Sequence, residues 1–206
     1  MNISEIDKAV RVVAVPVIGE ALRAHPQSQP AAILKSIVST LRQALQDRLV
    51  RVRWRLNPYY SVSMNSEATN RVLICQQFEF SAAHRLHVPR LSEAENRAIF
   101  GKCNNPNSHG HNYRVEPAVL IELSDDELAL TLPQLERIVD ETIIKRFDHK
   151  HLNRDTAEFA TLNPSVENIT KVCYDLLAPA IARVDGSLAH VTIWETEKTS
   201  CRYPAE

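Results

Sequence analysis

A thiol and two closely spaced imidazoles stand within the stretch FGKCNNPNSHGHNYRV, residues 100–115. His109 and His111 are two residues apart, and in a β-strand such residues project from the same face of the sheet. Both imidazoles can therefore reach one metal ion at the usual zinc–nitrogen distance of about 2.0–2.1 Å. Cys103 lies six residues before His109. This stretch therefore predicts metal chemistry beside a thiol.

The third metal ligand is predicted to be His84, at the end of the preceding strand. Three neutral imidazole nitrogens suit Zn²⁺, and three protein ligands leave one coordination position for water or substrate, which is typical of a catalytic site. Two alternatives stay open. Cys103 would be the fourth ligand of a closed, structural Cys-His₃ site, or His109 and His111 would be two half-exposed strand residues without a metal.

Hydrophobic periodicity predicts the elements that position these residues. They are a strand at 71–84, a second strand at 108–123, helices at 132–147 and 163–181, and a hairpin at 189–203. Between the first two strands, residues 87–107 are predicted to form a long polar loop. Asn163 is the predicted N-cap of the second helix, with Pro164 in its first turn. The resulting order from residue 71 onward is β-β-α-α-β-β.

The segment before residue 66 has the same order of features as the end of the chain. Residues 29–64 contain a proline, an amphipathic helix, an alternating strand, a turn and a second strand, as do residues 163–203. This predicts a degenerate half-repeat at 1–66, followed by the domain that carries the chemistry at 67–206. The alternative is an unrelated N-terminal helix and hairpin.

Composition and charge exclude several classes of protein. The net charge is −1 with histidine neutral, without the basic excess that nucleic-acid binding proteins show. The N-terminus lacks the features of a signal peptide, and the apolar run at 12–19 is far shorter than the ~20 residues of a membrane helix. We therefore expect a cytoplasmic protein without a membrane or nucleic-acid partner. Its four cysteines are expected to be free thiols.

Four motifs together resemble the 6-pyruvoyltetrahydropterin synthase family, which also contains the 6-carboxytetrahydropterin synthases of queuosine biosynthesis. They are FEFSAAHRL, GKCNNPNSHGHNY, FDHKHLN and the C-terminal WET, in the family's order over residues 71–203. The resemblance implies the α+β tunnelling fold, in which an antiparallel sheet carries helices on one face. It also implies a homo-oligomer with sites at subunit interfaces, and zinc binding by His84, His109 and His111.

The resemblance further implies a proton-transfer apparatus. Cys103 corresponds to the family's general base, and Asp148 and His149 to its helpers. A thiol has a pKa of about 8.5, which nearby cations or hydrogen-bond donors lower, so that the thiolate can take a carbon-bound proton. His149 can pass on a proton near neutral pH, and Asp148 can orient its ring.

The same resemblance implies a pterin-binding set. Glu195 matches the family's pterin anchor, because a carboxylate can accept two parallel hydrogen bonds from the guanidine-like edge of a pterin. Ser165 and Glu167 match pocket residues at the start of the second helix. Val166 departs from the pattern, since the family usually has a hydroxyl residue there. In the predicted half-repeat, Leu56 stands where Glu195 would be.

These features predict a zinc-dependent lyase that converts 7,8-dihydroneopterin triphosphate to 6-pyruvoyltetrahydropterin. Within the family, the alternative is the 6-carboxytetrahydropterin synthase reaction, which uses the same substrate and metal but cleaves a carbon–carbon bond. From other classes, the alternatives are a non-catalytic pterin-binding or scaffold subunit and a zinc hydrolase. A scaffold would not need Cys103, Asp148, His149 and Glu195 together, and a hydrolase would not explain the thiol.

Overall fold

The computed structural model of the chain describes residues 2–124 and 127–205. Its α-helices are α1 (Ile3–Ala9), α2 (Val15–Ala24), α3 (Pro30–Ala44), α4 (Glu93–Phe100), α5 (Leu132–Val139), α6 (Lys145–Phe147), α7 (Leu152–Asp155) and α8 (Val166–Ala182). Its strands are β1 (Arg51–Asn57), β2 (Tyr60–Asn65), β3 (Arg71–Gln76), β4 (Phe78–His84), β5 (His109–Ser124), β6 (Glu127–Leu128), β7 (Lys150–His151), β8 (Gly186–Thr196) and β9 (Thr199–Tyr203). The described residues also form short π-helical turns at Val10–Ala14 and Asp140–Ile144 and a 3₁₀ turn at Gly101–Asn104. The chain divides into two compact units, Met1–Gln76 with Val119–Thr131 and Gln77–Ala118 with Leu132–Glu206.

The first unit packs α3 against an antiparallel arrangement of strands. Pro30 opens α3 at its first turn, where a missing N–H costs nothing. The buried side chains of α3 recur every three or four residues and form one apolar stripe. They are Ala31, Ile33, Leu34, Ile37, Val38 and Leu41. Strand β2 pairs with β1 on one side and β3 on the other. The predicted N-terminal helix and strands are therefore present, while their origin as a half-repeat stays a prediction.

The second unit is built on an antiparallel sheet, as the α+β prediction requires. Strand β4 pairs with the start of β5, from Phe78 opposite Val115 to His84 opposite His109. Strand β8 pairs with β5 and with β9. The two-residue strand β7 pairs with β4 in the parallel direction.

Two helical segments of the second unit bury one apolar face each. In α8, Ile169, Cys173, Leu177 and Ile181 recur every four residues and are fully buried, and the helix packs on β8 and β9. The segment from α5 to α6 buries Leu135, Val139, Ile143 and Phe147 at the same spacing. The predicted helix at 132–147 is therefore present, with a π-helical turn in its middle.

The prediction of a long loop at 87–107 is wrong, because α4 and the 3₁₀ turn lie within it. Ser92 begins α4 with a capping box: its side chain accepts a hydrogen bond from the Glu95 N–H, and the Glu95 carboxylate accepts one from the Ser92 N–H. A serine followed three residues later by glutamate is the sequence signal for this cap. That signal was present and was missed because the segment is so polar.

The prediction of Asn163 as the N-cap of α8 is also wrong. The cap is Ser165, whose backbone is extended and whose hydroxyl accepts from the Asn168 N–H. The side-chain oxygen of Asn163 instead accepts a hydrogen bond from the His87 N–H, at 3.1 Å. The N-cap of α8 therefore lies two residues later than expected, and the helix begins at Val166.

All four cysteines are free thiols, as predicted. Cys75 and Cys173 are buried, whereas Cys103 and Cys201 are half-buried.

No helix in the described ranges has both the length and the apolar character that crossing a bilayer requires.

Candidate metal centre and active site

The adjacent ends of β4 and β5 place three imidazoles side by side. His84 is the last residue of β4 and lies opposite His109, the first residue of β5. His111 follows on the same face of β5, because side chains alternate along a strand. The ring centroids are 4.5 Å apart for His84 and His109, 4.8 Å for His109 and His111, and 5.2 Å for His84 and His111. The three predicted metal ligands are therefore neighbours.

The ring of His84 is oriented by the loop before α8. Its Nδ1 lies 2.7 Å from the carbonyl oxygen of Pro164, which can only accept, so Nδ1 carries the proton. Nε2 is then left with a lone pair, and it lies 3.0 Å from Nε2 of His109. An outer hydrogen bond of this kind fixes the tautomer and orientation of a metal-binding histidine.

Burial keeps two of the imidazoles neutral. Burial lowers the pKa of His84 to about 4, although the hydrogen bond to Pro164 acts in the opposite direction. Burial also lowers the pKa of His109, and the neighbouring His111 adds to the effect. Because imidazole binds a metal in its neutral form, the surroundings of these rings favour coordination.

Nitrogen atoms that face one another indicate that a cation fits this cluster. Nε2 of His111 is buried and has no hydrogen-bond partner in the described part of the chain, and the Nε2 atoms of His84 and His109 face each other at 3.0 Å. One ligand nitrogen from each ring lies within 4.8 Å of the others. Buried polar atoms without partners are costly, and a shared cation would satisfy lone pairs that face one another. The three histidines can therefore hold a metal ion.

The cluster consists of imidazoles alone. Among the described residues, the group whose ligand atoms all lie within 4.8 Å of one another comprises these three imidazoles without Cys103. One carboxylate oxygen, Oε1 of Glu195, lies near two of the three rings, at 3.5 Å from His84 and 3.8 Å from His111. A three-ligand set leaves a coordination position for water or substrate. The geometry therefore favours the open site over the closed Cys-His₃ alternative.

Cys103 lies in the 3₁₀ turn after α4 and faces the histidines. Its carbonyl oxygen accepts a hydrogen bond of 2.8 Å from the Leu86 N–H, which ties the turn to the chain just after His84. Cys103, His109 and His111 line one cavity of about 860 Å³. Partial burial raises the pKa of the Cys103 thiol, and the charge of Glu195 raises it further. This direction is opposite to the expected one, because burial and the Glu195 charge both disfavour the thiolate.

Glu195 points its carboxylate at the histidine cluster from β8. Its Oε1 lies 3.5 Å from Nε2 of His84 and 3.8 Å from Nε2 of His111. The Tyr113 hydroxyl lies 3.3 Å from Nδ1 of His84, and burial together with the Glu195 carboxylate raises the pKa of the tyrosine. Tyr113 is a site residue that sequence analysis missed. Its position two residues after His111, on the same strand face, was the available signal.

Asp148 and His149 form a hydrogen-bonded pair beside β4. One oxygen of Asp148 accepts from the Ser81 N–H at 2.8 Å, and the other lies 2.7 Å from Nδ1 of His149. His149 has a positive φ of 56°, which is uncommon for a residue other than glycine. Its ring points back toward Asp148. The bond from Ser81, followed by the contacts with His149, lowers the pKa of Asp148. The carboxylate is therefore ionised and orients a ring whose side chain is 83% exposed.

Cys103 and His149 line different cavities of the second unit. His149 lines a cavity of about 610 Å³, and Cys103 lines the cavity of about 860 Å³. His111 borders both cavities. One chain therefore brings Cys103 to the histidine cluster and Asp148 to His149, without bringing these two sets of residues into one cavity.

The predicted residues at the start of α8 lie where that helix meets the loop holding His84. Ser165 is the N-cap, and the preceding Pro164 carbonyl binds the His84 ring. Glu167 is exposed in the first turn. Val166, at the position of the missing hydroxyl, is buried, with 7% of its surface exposed. Ser165 thus has a structural role that sequence analysis did not assign.

Comparisons with known proteins agree with these features. A family model described as 6-pyruvoyl tetrahydropterin synthase matches residues 73–206. The 6-pyruvoyl tetrahydrobiopterin synthase of Poecilia reticulata is 39% identical over 62% of this chain and 86% of its own length. The Homo sapiens enzyme of the same name is 36% identical over 65% of this chain and 91% of its own length. The solved structure of Caenorhabditis elegans 6-pyruvoyl tetrahydropterin synthase matches with a TM-score of 0.60 at 33% identity, covering 66% of this chain and 96% of that one. The resemblance found in the motifs is therefore confirmed, and with it the tunnelling fold.

Proposed function

Because the chain belongs to the 6-pyruvoyl tetrahydropterin synthase family, we propose that it is a zinc-dependent lyase acting on 7,8-dihydroneopterin triphosphate. The products are 6-pyruvoyltetrahydropterin and triphosphate. The observation that carries this proposal is one cavity lined by Cys103, His109 and His111, with His84 completing the metal-binding cluster. A candidate proton acceptor thus stands beside a site suited to a divalent cation.

In the proposed reaction, the metal site and Cys103 have separate roles. Bound zinc would draw electron density from the side-chain oxygens of the substrate and acidify the adjacent C–H bonds. Cys103, as a thiolate, takes up such a proton, and the electron pair of the C–H bond forms a carbon–carbon double bond. The C–O bond to the triphosphate breaks as this double bond forms, and the leaving oxygen keeps the electron pair of the C–O bond. Proton shifts convert the enol to a ketone and carry side-chain hydrogen to the pterin ring, so no external oxidant or reductant is required.

Asp148 and His149 are proposed to carry protons during these shifts. The hydrogen bond between them supports this role, because an ionised carboxylate holds the ring in one orientation. Glu195, Ser165 and Glu167 are proposed to bind the pterin. A carboxylate suits the pterin edge, and the half-buried Glu195 side chain lies beside the metal-binding nitrogens.

We further propose a homo-oligomer whose sites combine residues of two subunits. Two observations support this arrangement. Cys103 and His149 line different cavities of one chain, although both are proposed to handle protons of the same substrate. The His149 side chain is also largely exposed, as a group that completes a site on a neighbouring subunit would be in an isolated chain.

Identification of the reaction product tests the proposal. Purified protein is analysed for bound metal and incubated with 7,8-dihydroneopterin triphosphate, and the pterins are separated by chromatography. We expect bound zinc and 6-pyruvoyltetrahydropterin, with loss of turnover on chelation and recovery when zinc is restored. Formation of 6-carboxytetrahydropterin would assign the chain to the other branch of the family. No pterin product despite bound zinc would instead favour the non-catalytic alternative.

A further inference from the structure

The cavity that holds Cys103 also carries two cations that have no part in the chemistry described so far. Arg97 and Lys102 line it together with Cys103, His109 and His111. Lys102 immediately precedes Cys103, and Arg97 lies in the last turn of α4. Resting on the proposed function, we infer that Arg97 and Lys102 bind the triphosphate arm of the substrate.

Both cations are available for an anionic ligand. Arg97 and Lys102 are exposed, and neither makes an ion pair or a side-chain hydrogen bond with any residue that the structure describes. By contrast, Arg85 in the same unit lies 3.3 Å from the carboxylate of Glu93. A guanidinium can hold two phosphate oxygens at once, and an ammonium acts as a compact point charge. The pair therefore matches a chain of phosphates.

The place of the two cations also suits the departure of triphosphate. The phosphate chain gains one negative charge as its C–O bond breaks, so nearby cations stabilise the transition state more than the bound substrate. Cys103 is proposed to take the proton in the same cavity, so the proton acceptor and the two cationic side chains line one cavity. The volume of about 860 Å³ leaves room for a pterin side chain and its phosphates.

A simpler account of Arg97 has to be tested against this inference. A cation near the C-terminal end of a helix is stabilised by the helix dipole, whatever ligand is present. That account predicts the same affinity change for ligands with and without phosphate. Comparison of two such ligands therefore separates the two explanations.

The test measures binding by calorimetry to zinc-loaded protein that carries Cys103→Ala, so that no ligand is consumed. The ligands are 7,8-dihydroneopterin triphosphate and 7,8-dihydroneopterin, which differ only in the phosphate arm. Adding R97Q/K102Q is expected to weaken the triphosphate ligand at least about tenfold and to leave dihydroneopterin unchanged. The matched control, R90Q/R183Q, removes two exposed arginines that do not line the cavity and should change neither affinity.

Two further results complete the test. The exchange R97K/K102R keeps both charges and should retain most of the triphosphate affinity, and added salt should reduce the difference between the two ligands. An equal effect of R97Q/K102Q on both ligands, or none on either, overturns the inference while the proposed function stands. If neither ligand binds before these substitutions are added, the proposed function has failed and the inference falls with it.

Discussion

The groups around the Cys103 sulfur act on the pKa of its thiol in opposite directions. Burial and the charge of Glu195 disfavour the thiolate, so the pKa of the thiol is raised in the chain alone. A divalent cation on the adjacent imidazoles would favour the thiolate, because bound ions are usually the largest charges in a site. Metal binding by His84, His109 and His111 would therefore increase the reactivity of the Cys103 thiol without the sulfur serving as a ligand.

Replacement of Cys103 by alanine is expected to separate metal binding from turnover. The variant should keep stoichiometric zinc, because the cluster consists of three imidazoles. Its kcat should fall at least about a hundredfold with loss of the proton acceptor. Metal analysis and steady-state kinetics measure the two effects. Cys201→Ala is the matched control, since this half-buried thiol on β9 has no proposed role. Loss of zinc together with Cys103 would restore the closed Cys-His₃ site.

For single residues, the spacing in the sequence predicted where a side chain lies better than it predicted the electrostatic environment of that side chain. The His-x-His pattern placed His109 and His111 on one strand face, and the strand pairing adds His84 as expected. The direction of the Cys103 pKa shift was not predictable in the same way, because Glu195 comes from a strand about ninety residues later in the chain. The same alternation of side chains along a strand that identified the histidines could also have identified Tyr113.

Helix α4 is joined to the segment before it by one buried side chain. Asn96 is fully buried, and its Oδ1 accepts from the Val88 N–H at 2.7 Å. Its Nδ2 lies 3.0–3.1 Å from the carbonyl oxygens of Val88, Leu91 and Ser92. The helix leads directly into the 3₁₀ turn that carries Cys103. Asn96 therefore helps to position the thiol without contacting it.

Asn96→Ala is expected to lower the free energy of unfolding by about 1–3 kcal/mol, because several buried backbone groups lose their partner. Zinc content should be unchanged, while turnover should decrease as the turn at Cys103 loosens. Denaturant unfolding, metal analysis and kinetics measure these effects. Asn107→Ala removes an exposed asparagine of the neighbouring loop and serves as the control. An unaltered unfolding midpoint in Asn96→Ala would contradict this role.

Elements with strong periodicity were predictable, and those fixed by single polar side chains were not. The buried stripe of α8 and the alternation along β4 and β5 are visible in the sequence and appear in the structure. Helix α4 buries only Asn96 among its own residues, so it has no apolar stripe to reveal it. The start of α8 was misplaced because Asn163, an equally good capping residue, is used by the His87 N–H instead.

The predicted boundary at residues 66 and 67 does not coincide with the compact units. Strand β3 begins at Arg71 and pairs with β2, so it belongs to the first unit. The family match nevertheless begins at residue 73, within that same strand. The division into 1–66 and 67–206 and the half-repeat therefore stay predictions. A contact made between strands of one unit could not be read from the order of elements along the chain.

Co-expression of two inactive variants tests whether each site combines two chains. Cys103→Ala and His149→Ala, carried on chains with different tags and purified through both tags, form mixed oligomers. If a site takes its thiol from one chain and its imidazole from another, about a quarter of the sites in a random mixture contain both intact groups, and activity should recover to that fraction of wild type. The reference is wild type co-expressed with the double variant: shared sites again leave about a quarter of wild-type activity, whereas sites within one chain leave about half. A mixture of the single variants that contains both chains and remains inactive would mean that thiol and imidazole act within one chain, and the separate cavities of Cys103 and His149 would then have to join by movement of that chain.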